Sequence, residues 1–211
     1  MTKKIVILGG SGDARVIYSY IEDAKAAGYN IQALGFLDDN ASAAVFDLPR
    51  LGALSSWNNL DQEVVFIQAL LSVGRMQPRA ELIDSLRIPI ERYATLIHPT
   101  ATVSKFATMG LGVVISPHAV IQAGATIGKH AHIRAGANLG HDTHTGNYCN
   151  IGPNAVLCGY STVGNYSFLG PNAVVRDSVQ VGANVTIAAG AVVLKEAAQG
   201  TWLGNPAKRI V

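Results

Sequence analysis

His141 and Asp142 stand next to each other and form the pair in this sequence best suited to moving a proton. Imidazole titrates near neutral pH and can relieve an attacking group of its proton. A neighbouring carboxylate holds the ring in one tautomer and stabilises the imidazolium that forms. A second chemical stretch is Gly9-Gly10-Ser11-Gly12, followed by Asp13 and, further on, by Asp38-Asp39. A Gly-rich turn at a helix start aims backbone N–H groups at an anion, and an acid ending the next strand accepts a sugar hydroxyl. The spacing is not the full G-x-G-x-x-G of a dinucleotide site. Cys149 and Cys158 are the only cysteines, and they read as reduced structural thiols, so no nucleophile stands beside the imidazole.

The stretch that must position His141 is a six-residue repeat. From Ile97 to Val193, every sixth residue is aliphatic or Met, without insertion, and Thr145 alone departs. Two places before each of these the residue is mostly small, as at Ala119, Ala131, Cys149, Ala155 and Ser167. Gly often follows the aliphatic residue, supplying backbone conformations that a Cβ would penalise. A helix needs apolar residues at i, i+3, i+4 and i+7, and a lone strand needs period two; neither spacing fits. Self-similarity of this kind marks a parallel β-helix in which three hexads close a triangular coil of about 18 residues, with coils stacked about 4.8 Å apart. His141, two residues after Leu139, then falls on a corner outside the packed column.

Before the repeat, Ile5 to Leu8 reads as a buried strand, Val16 to Ile21 as part of a helix, and Ile31 to Leu37 as a second strand. Val64 to Ile67 is a third strand, Val73-Gly74-Arg75 a turn or short strand, and Arg79 to Leu86 a helix ended near Pro89. Residues 1–95 thus form a small α/β unit, too short for a doubly wound sheet and better sized for one nucleotide-sugar than for a dinucleotide. Leu96-Ile97-His98-Pro99 joins it to the second unit, 96–211. The chain has 211 residues, 49% hydrophobic and 14% charged, with a net charge of +2, so two domains with real cores are expected, and neither a nucleic-acid groove nor a membrane surface is implied. The N-terminal apolar run is too short for a signal peptide and no stretch reaches 18 apolar residues, so the expected location is the cytoplasm.

These motifs together resemble the bacterial sugar O- and N-acyltransferases of the NeuD and PglD type. The shared features are G-G-S-G after the first strand, F-L-D-D at 36–39, I-H-P at 97–99, the hexads, His141-Asp142, and the final Gly204-Asn205-Pro206-Ala207-Lys208-Arg209. The resemblance implies a fold of a small N-terminal half-Rossmann-like α/β domain followed by a left-handed parallel β-helix. It also implies a homotrimer that uses acetyl-CoA between neighbouring prisms and holds a nucleotide-linked aminosugar with its N-terminal domain. By motif, His141 is the general base and Asp142 its partner. Nucleotide contacts carry over to Ser11, Gly12, Asp13, Asp38, Asp39 and Gly74. By register, acetyl-CoA contacts fall at Asn150, Pro171 and Ala189, with Gly159 and Gly170 lining the same groove and Lys208 and Arg209 meeting CoA phosphates. Direct attack in a ternary complex follows. A trimer also suits a short prism, whose small core gains from burying one face of each copy.

The sequence departs from the family pattern at three places. Asn150 stands where many members carry a second His nine positions after the base, Asp13 replaces the His ending the Gly-rich turn, and Arg134 replaces an Asn near the base. His132, eighteen residues before Asn150, is expected to stack beside it and partly replace the missing ring. His118 and His130 are expected at the surface and His98 at the domain junction. His144 completes H-D-T-H, yet zinc sites of the γ-carbonic anhydrase type resemble His-x4-His, and no two histidines here are five apart; no metal is expected. O-acetylation of a sialic-acid-type sugar, or a scaffold that binds nucleotide-sugar without catalysis, are the alternatives.

Overall fold

A computed structural model describes residues 2–210. The N-terminal unit is a parallel sheet of β1 (Lys3–Leu8), β2 (Ile31–Leu37), β3 (Arg50–Gly52) and β4 (Val65–Gln68) in the order β3-β2-β1-β4, with helices α1 (Gly12–Ala26) and α2 (Met76–Ser85). Its central strand is apolar on both faces because both are covered. Ile5 and Ile7 pack with Ile17 and Ile21 of α1, whereas Val6 and Leu8 pack with Ala80 and Ile83 of α2. The Gly-rich turn, Asp38 and Asp39, and the segment after Gln68 all lie at the carboxyl ends of the strands, the ligand edge of such a sheet.

From Leu96 onward, two-residue strands repeat every six residues and pair in parallel with those eighteen away, for example His132 with Asn150 and Asn150 with Phe168. Three flat faces result. The first carries strands at 96–97, 114–115, 132–133, 150–151, 168–169 and 185–187; the second those at 102–103 through 192–193; the third those at 108–109 through 180–181. The sixth-residue column fills the prism: from Ile115 to Val193 every member is buried, Thr145 included. A final antiparallel hairpin, Gly200–Leu203 with Lys208–Arg209, continues the first face.

The expectation that the Gly after each aliphatic residue supplies a special backbone conformation is corrected: none of Gly128, Gly140, Gly146 or Gly170 has a positive φ. Glycines such as Gly170 are needed for close approach, because a Cβ there would sit 2.5 Å from the Ala189 nitrogen of the next coil. The left-handed backbone occurs two places further on, at each corner from 112 to 190, and is occupied by Asp142 (φ 56°), Tyr148, Asn154 and Tyr160 as well as by glycines. The unanticipated feature is how the N-terminal unit docks. It covers the first face, where Leu96 and Val114 join the α1 core, and the corner between third and first faces, where Tyr148 joins the α2 core. No helix among the described residues is long and apolar enough to cross a membrane.

Candidate active site on the prism corners

His141 lies on the corner between second and third faces, about half exposed. Its Nδ1 is 3.0 Å from Asp142 Oδ2. An ionised carboxylate only accepts, so Nδ1 carries the hydrogen and Nε2 is left with a lone pair. The next coil places Gly159 below the ring: a Cβ at 159 would lie 2.6 Å from Nε2. Only glycine leaves that space open, and its backbone N–H lies on the same corner. Tyr160, eighteen residues after Asp142, stands edge-on to the imidazole with centroids 5.0 Å apart. That tyrosine was missed in the sequence, although the eighteen-residue register places it on this corner.

The expected cofactor residues divide between corners. Gly159 shares the corner of His141, whereas Gly170, Pro171 and Ala189 lie on the corner between first and second faces, where Asn172 and Gly190 bond back to Pro153 and Pro171. Asn150 is on the first face, and with Pro171 it lines a cavity of about 350 Å³ shared with Val16, Tyr20, Arg134, Phe168 and others. Lys208 and Arg209 are exposed on the final hairpin and border a cavity of about 500 Å³ with Trp202, Pro206 and Lys195. Within one chain, then, His141 and most of the residues expected to line the cofactor groove occupy different edges of the prism.

On the N-terminal unit, Asp38 closes the Gly-rich turn. Its Oδ2 accepts from Gly10 N at 2.6 Å and its Oδ1 from Asn40 N at 2.7 Å, while Asp39 Oδ1 accepts from Leu54 N at 2.9 Å. Ser11 is the N-cap residue of α1, and Gly12 and Asp13 open its first turn. Gly74 lines a separate cavity of about 230 Å³ between the start of α2 and the prism, with Tyr166 and Thr186. Asp13 and Arg134, two of the three departures from the family pattern, meet as an ion pair at 2.8 Å. Arg134 also donates through Nε to Asn150 Oδ1 at 3.0 Å, so all three departures form one connected group.

The other histidines sort as follows. His98 is at the domain junction as expected, bonded to Asp23 at 3.2 Å. His118 is exposed, but His130 is not: it is buried between Tyr93, edge-on at 4.3 Å, and Tyr148, stacked at 4.8 Å. Burial, with Lys129 adding to it, pushes its pKa down to about 4. His132 pairs in register with Asn150, yet its ring is wholly buried and bound to Gln68 Nε2 at 2.9 Å, which corrects the expectation that it substitutes for a ring at the groove. Burial drives its pKa far below the usual value. Cys149 is buried, hydrogen-bonded to Gly164 O, and its thiol is pushed up to about 12, so it remains a neutral packing group. Among the described residues there is no cluster of three metal-ligating side chains.

Comparisons with known proteins place this geometry in a family. The family model of the PglD N-terminal domain matches residues 4–86, and that of the bacterial transferase hexapeptide repeats matches 142–177 and 160–195. A search of curated proteins returned no significant match. Among solved structures, the acetyltransferase domain of PglB from Neisseria gonorrhoeae, in complex with acetyl coenzyme A, is 31% identical, with a TM-score of 0.85 and full coverage of both chains (100% of each). PerB from Caulobacter crescentus, in complex with CoA and GDP-perosamine, is 30% identical, with a TM-score of 0.82 over 97% of this chain and 96% of that one. WeeI from Acinetobacter baumannii, at 20% identity and TM-score 0.78 over 97% and 98%, shares the fold. An α/β domain docked on a left-handed hexapeptide prism, matched end to end at this identity, shows that the chain belongs to the acetyl-CoA-dependent bacterial sugar acyltransferases of the PglD type.

Proposed function

We propose that the protein transfers acetyl from acetyl-CoA to the amino group of a nucleotide-linked 4-amino-deoxysugar, in a homotrimer whose sites each combine two chains. The observation that carries the reading is the His141–Asp142 pair on an open corner, with Nε2 free above Gly159. His141 Nε2 takes the proton that the amine loses as its nitrogen attacks the thioester carbonyl carbon. The C–S bond then breaks, and the thiol leaves with a proton from the imidazolium. Asp142 stabilises that imidazolium. The Gly159 N–H supports the charge developing on the carbonyl oxygen, an effect of about 3 kcal/mol in a dry groove. Cys149, neutral and buried, offers no acyl-enzyme route.

The division of candidate residues between two corners supports a site shared by neighbouring copies. The nucleotide is expected at Ser11 to Asp13, Asp38 and Asp39, on the ligand edge of the sheet. The relatives lend the substrate class: PglB was solved with acetyl coenzyme A and PerB with CoA and GDP-perosamine.

The test is thiol release from acetyl-CoA with UDP-, GDP- and dTDP-linked aminosugars. Release with an aminosugar, reduced by about 10²–10⁴ in His141→Ala, is the expected outcome. Release with hydroxyl acceptors alone replaces N-acetylation by O-acetylation, and nucleotide-sugar binding without release leaves a scaffold.

A further inference from the structure

Arg134 is the residue through which the Gly-rich turn touches the groove. Its guanidinium reaches Asp13 Oδ1 with Nη2 at 2.8 Å and Asn150 Oδ1 with Nε at 3.0 Å. The group is well shielded: the Arg134 and Asp13 side chains are 15% and 26% exposed, and Asn150 is 6% exposed. Guanidinium N–H groups only donate, so the atom of Asn150 that faces Arg134 must be its oxygen. The Asn150 amide is therefore fixed in one of its two orientations, with Nδ2 turned away from Arg134. Among the described residues Nδ2 has no hydrogen-bond partner, and the residue borders the cavity of about 350 Å³ with Phe168 and Pro171.

A cation beside such a cavity invites the idea of an anion site, but charge counting argues otherwise. Asp13 already neutralises Arg134 at hydrogen-bond distance, so an incoming anion would have to break an existing, partly buried pair. What remains unpartnered is a neutral donor, suited to a carbonyl oxygen.

We propose that Arg134 is a positioning residue: anchored by Asp13, it orients the Asn150 amide so that Nδ2 donates to a carbonyl oxygen of the acyl-CoA arm. This rests on the acetyl-CoA reading above. Asp13 is thereby a groove-organising residue as well as part of the nucleotide-binding turn, and the three departures from the family pattern act as one unit.

The experiment is acetyl-CoA affinity by calorimetry on the full-length wild-type protein, Arg134→Gln, Arg134→Lys, Asn150→Ala and the Arg134→Gln/Asn150→Ala double variant, with melting temperatures and steady-state kinetics beside it. Arg134→Gln is expected to raise Kd and KM for acetyl-CoA about tenfold, the size of one oriented hydrogen bond. It should leave kcat at saturating acetyl-CoA within about twofold. Arg134→Lys keeps the charge opposite Asp13 but cannot fork to both partners, so it should hold the melting temperature and still lose affinity. In the Asn150→Ala background, Arg134→Gln should add no further loss. An unchanged Kd in Arg134→Gln, or an undiminished loss in the Asn150→Ala background, overturns the inference while the enzyme stands. Failure of the wild-type protein to bind acetyl-CoA overturns the functional reading itself.

Discussion

Thr145 holds a place in the inward column where every other member is aliphatic or Met, and its Oγ1 is buried without a hydrogen bond among the described residues. Valine has nearly the same shape without the hydroxyl, so Thr145→Val is expected to raise unfolding free energy by about 1 kcal/mol, read as a shift in urea midpoint at constant slope. His130 and His132 act in the opposite sense as pH falls. Both are kept neutral in the folded chain, His130 by burial among Tyr93 and Tyr148 with Lys129 opposing and Asp84 favouring its charge, His132 by burial with Arg134 and His130 adding to it. Between pH 6.5 and about 4 the unfolded chain binds a proton at His130 that the native chain refuses. Stability therefore falls as the pH is lowered through this window, by up to about 1.4 kcal/mol per unit for each such group. His130→Phe should flatten that slope relative to wild type in denaturant titrations at pH 7.5, 6 and 5. The burial of His130 was hidden in the sequence because corner positions of a lone prism face water. The hexads cannot say which corner another domain will cover.

At the scale of the element, the coil was legible because one side chain per six residues must enter the prism, and nothing else gives that period. The N-terminal strands were legible for a related reason: Ile5 to Leu8 is apolar without alternation, as a strand covered on both faces must be. The short strand Arg50–Gly52 was not, since it carries no run of apolar residues and exists by pairing with β2. The roles of the glycines were only half legible, because a missing side chain looks the same whether space or dihedral demands it. Two substitutions separate these demands. Gly170→Ala drives a Cβ onto the next coil's backbone and should cost about 2 kcal/mol or more. Gly190→Ala meets no atom within 4 Å but must hold φ 67°, which costs about 1 kcal/mol. Thermal unfolding of the pair, with the larger drop for Gly170→Ala, is the check.

For the whole molecule, the two-corner arrangement makes the proposed shared site testable by complementation between chains. If each site takes the imidazole from one copy and Asn150 with Pro171 from its neighbour, then His141→Ala and an inactive groove variant such as Asn150→Ala/Pro171→Gly, mixed under conditions that exchange subunits, should regain measurable transfer. The site that pairs the intact corner of each supplies it. Thiol release from the mixture, compared with each variant alone, measures this. The contact between His141 and Asp142 was legible from their adjacency, and the eighteen-residue register accounts for Gly159 lying beneath the ring. The ion pair between Asp13 and Arg134 was not, since it joins residues 121 positions apart (134 − 13) through the docking of two domains. The antiparallel hairpin on the first face has its own consequence. A stack of parallel coils presents a row of unpaired backbone groups that invites another stack to continue it. Among the described residues, the last strand on that face runs against the parallel order and carries two exposed cations, Lys208 and Arg209. Edge charges of that kind disfavour the register another parallel coil would need.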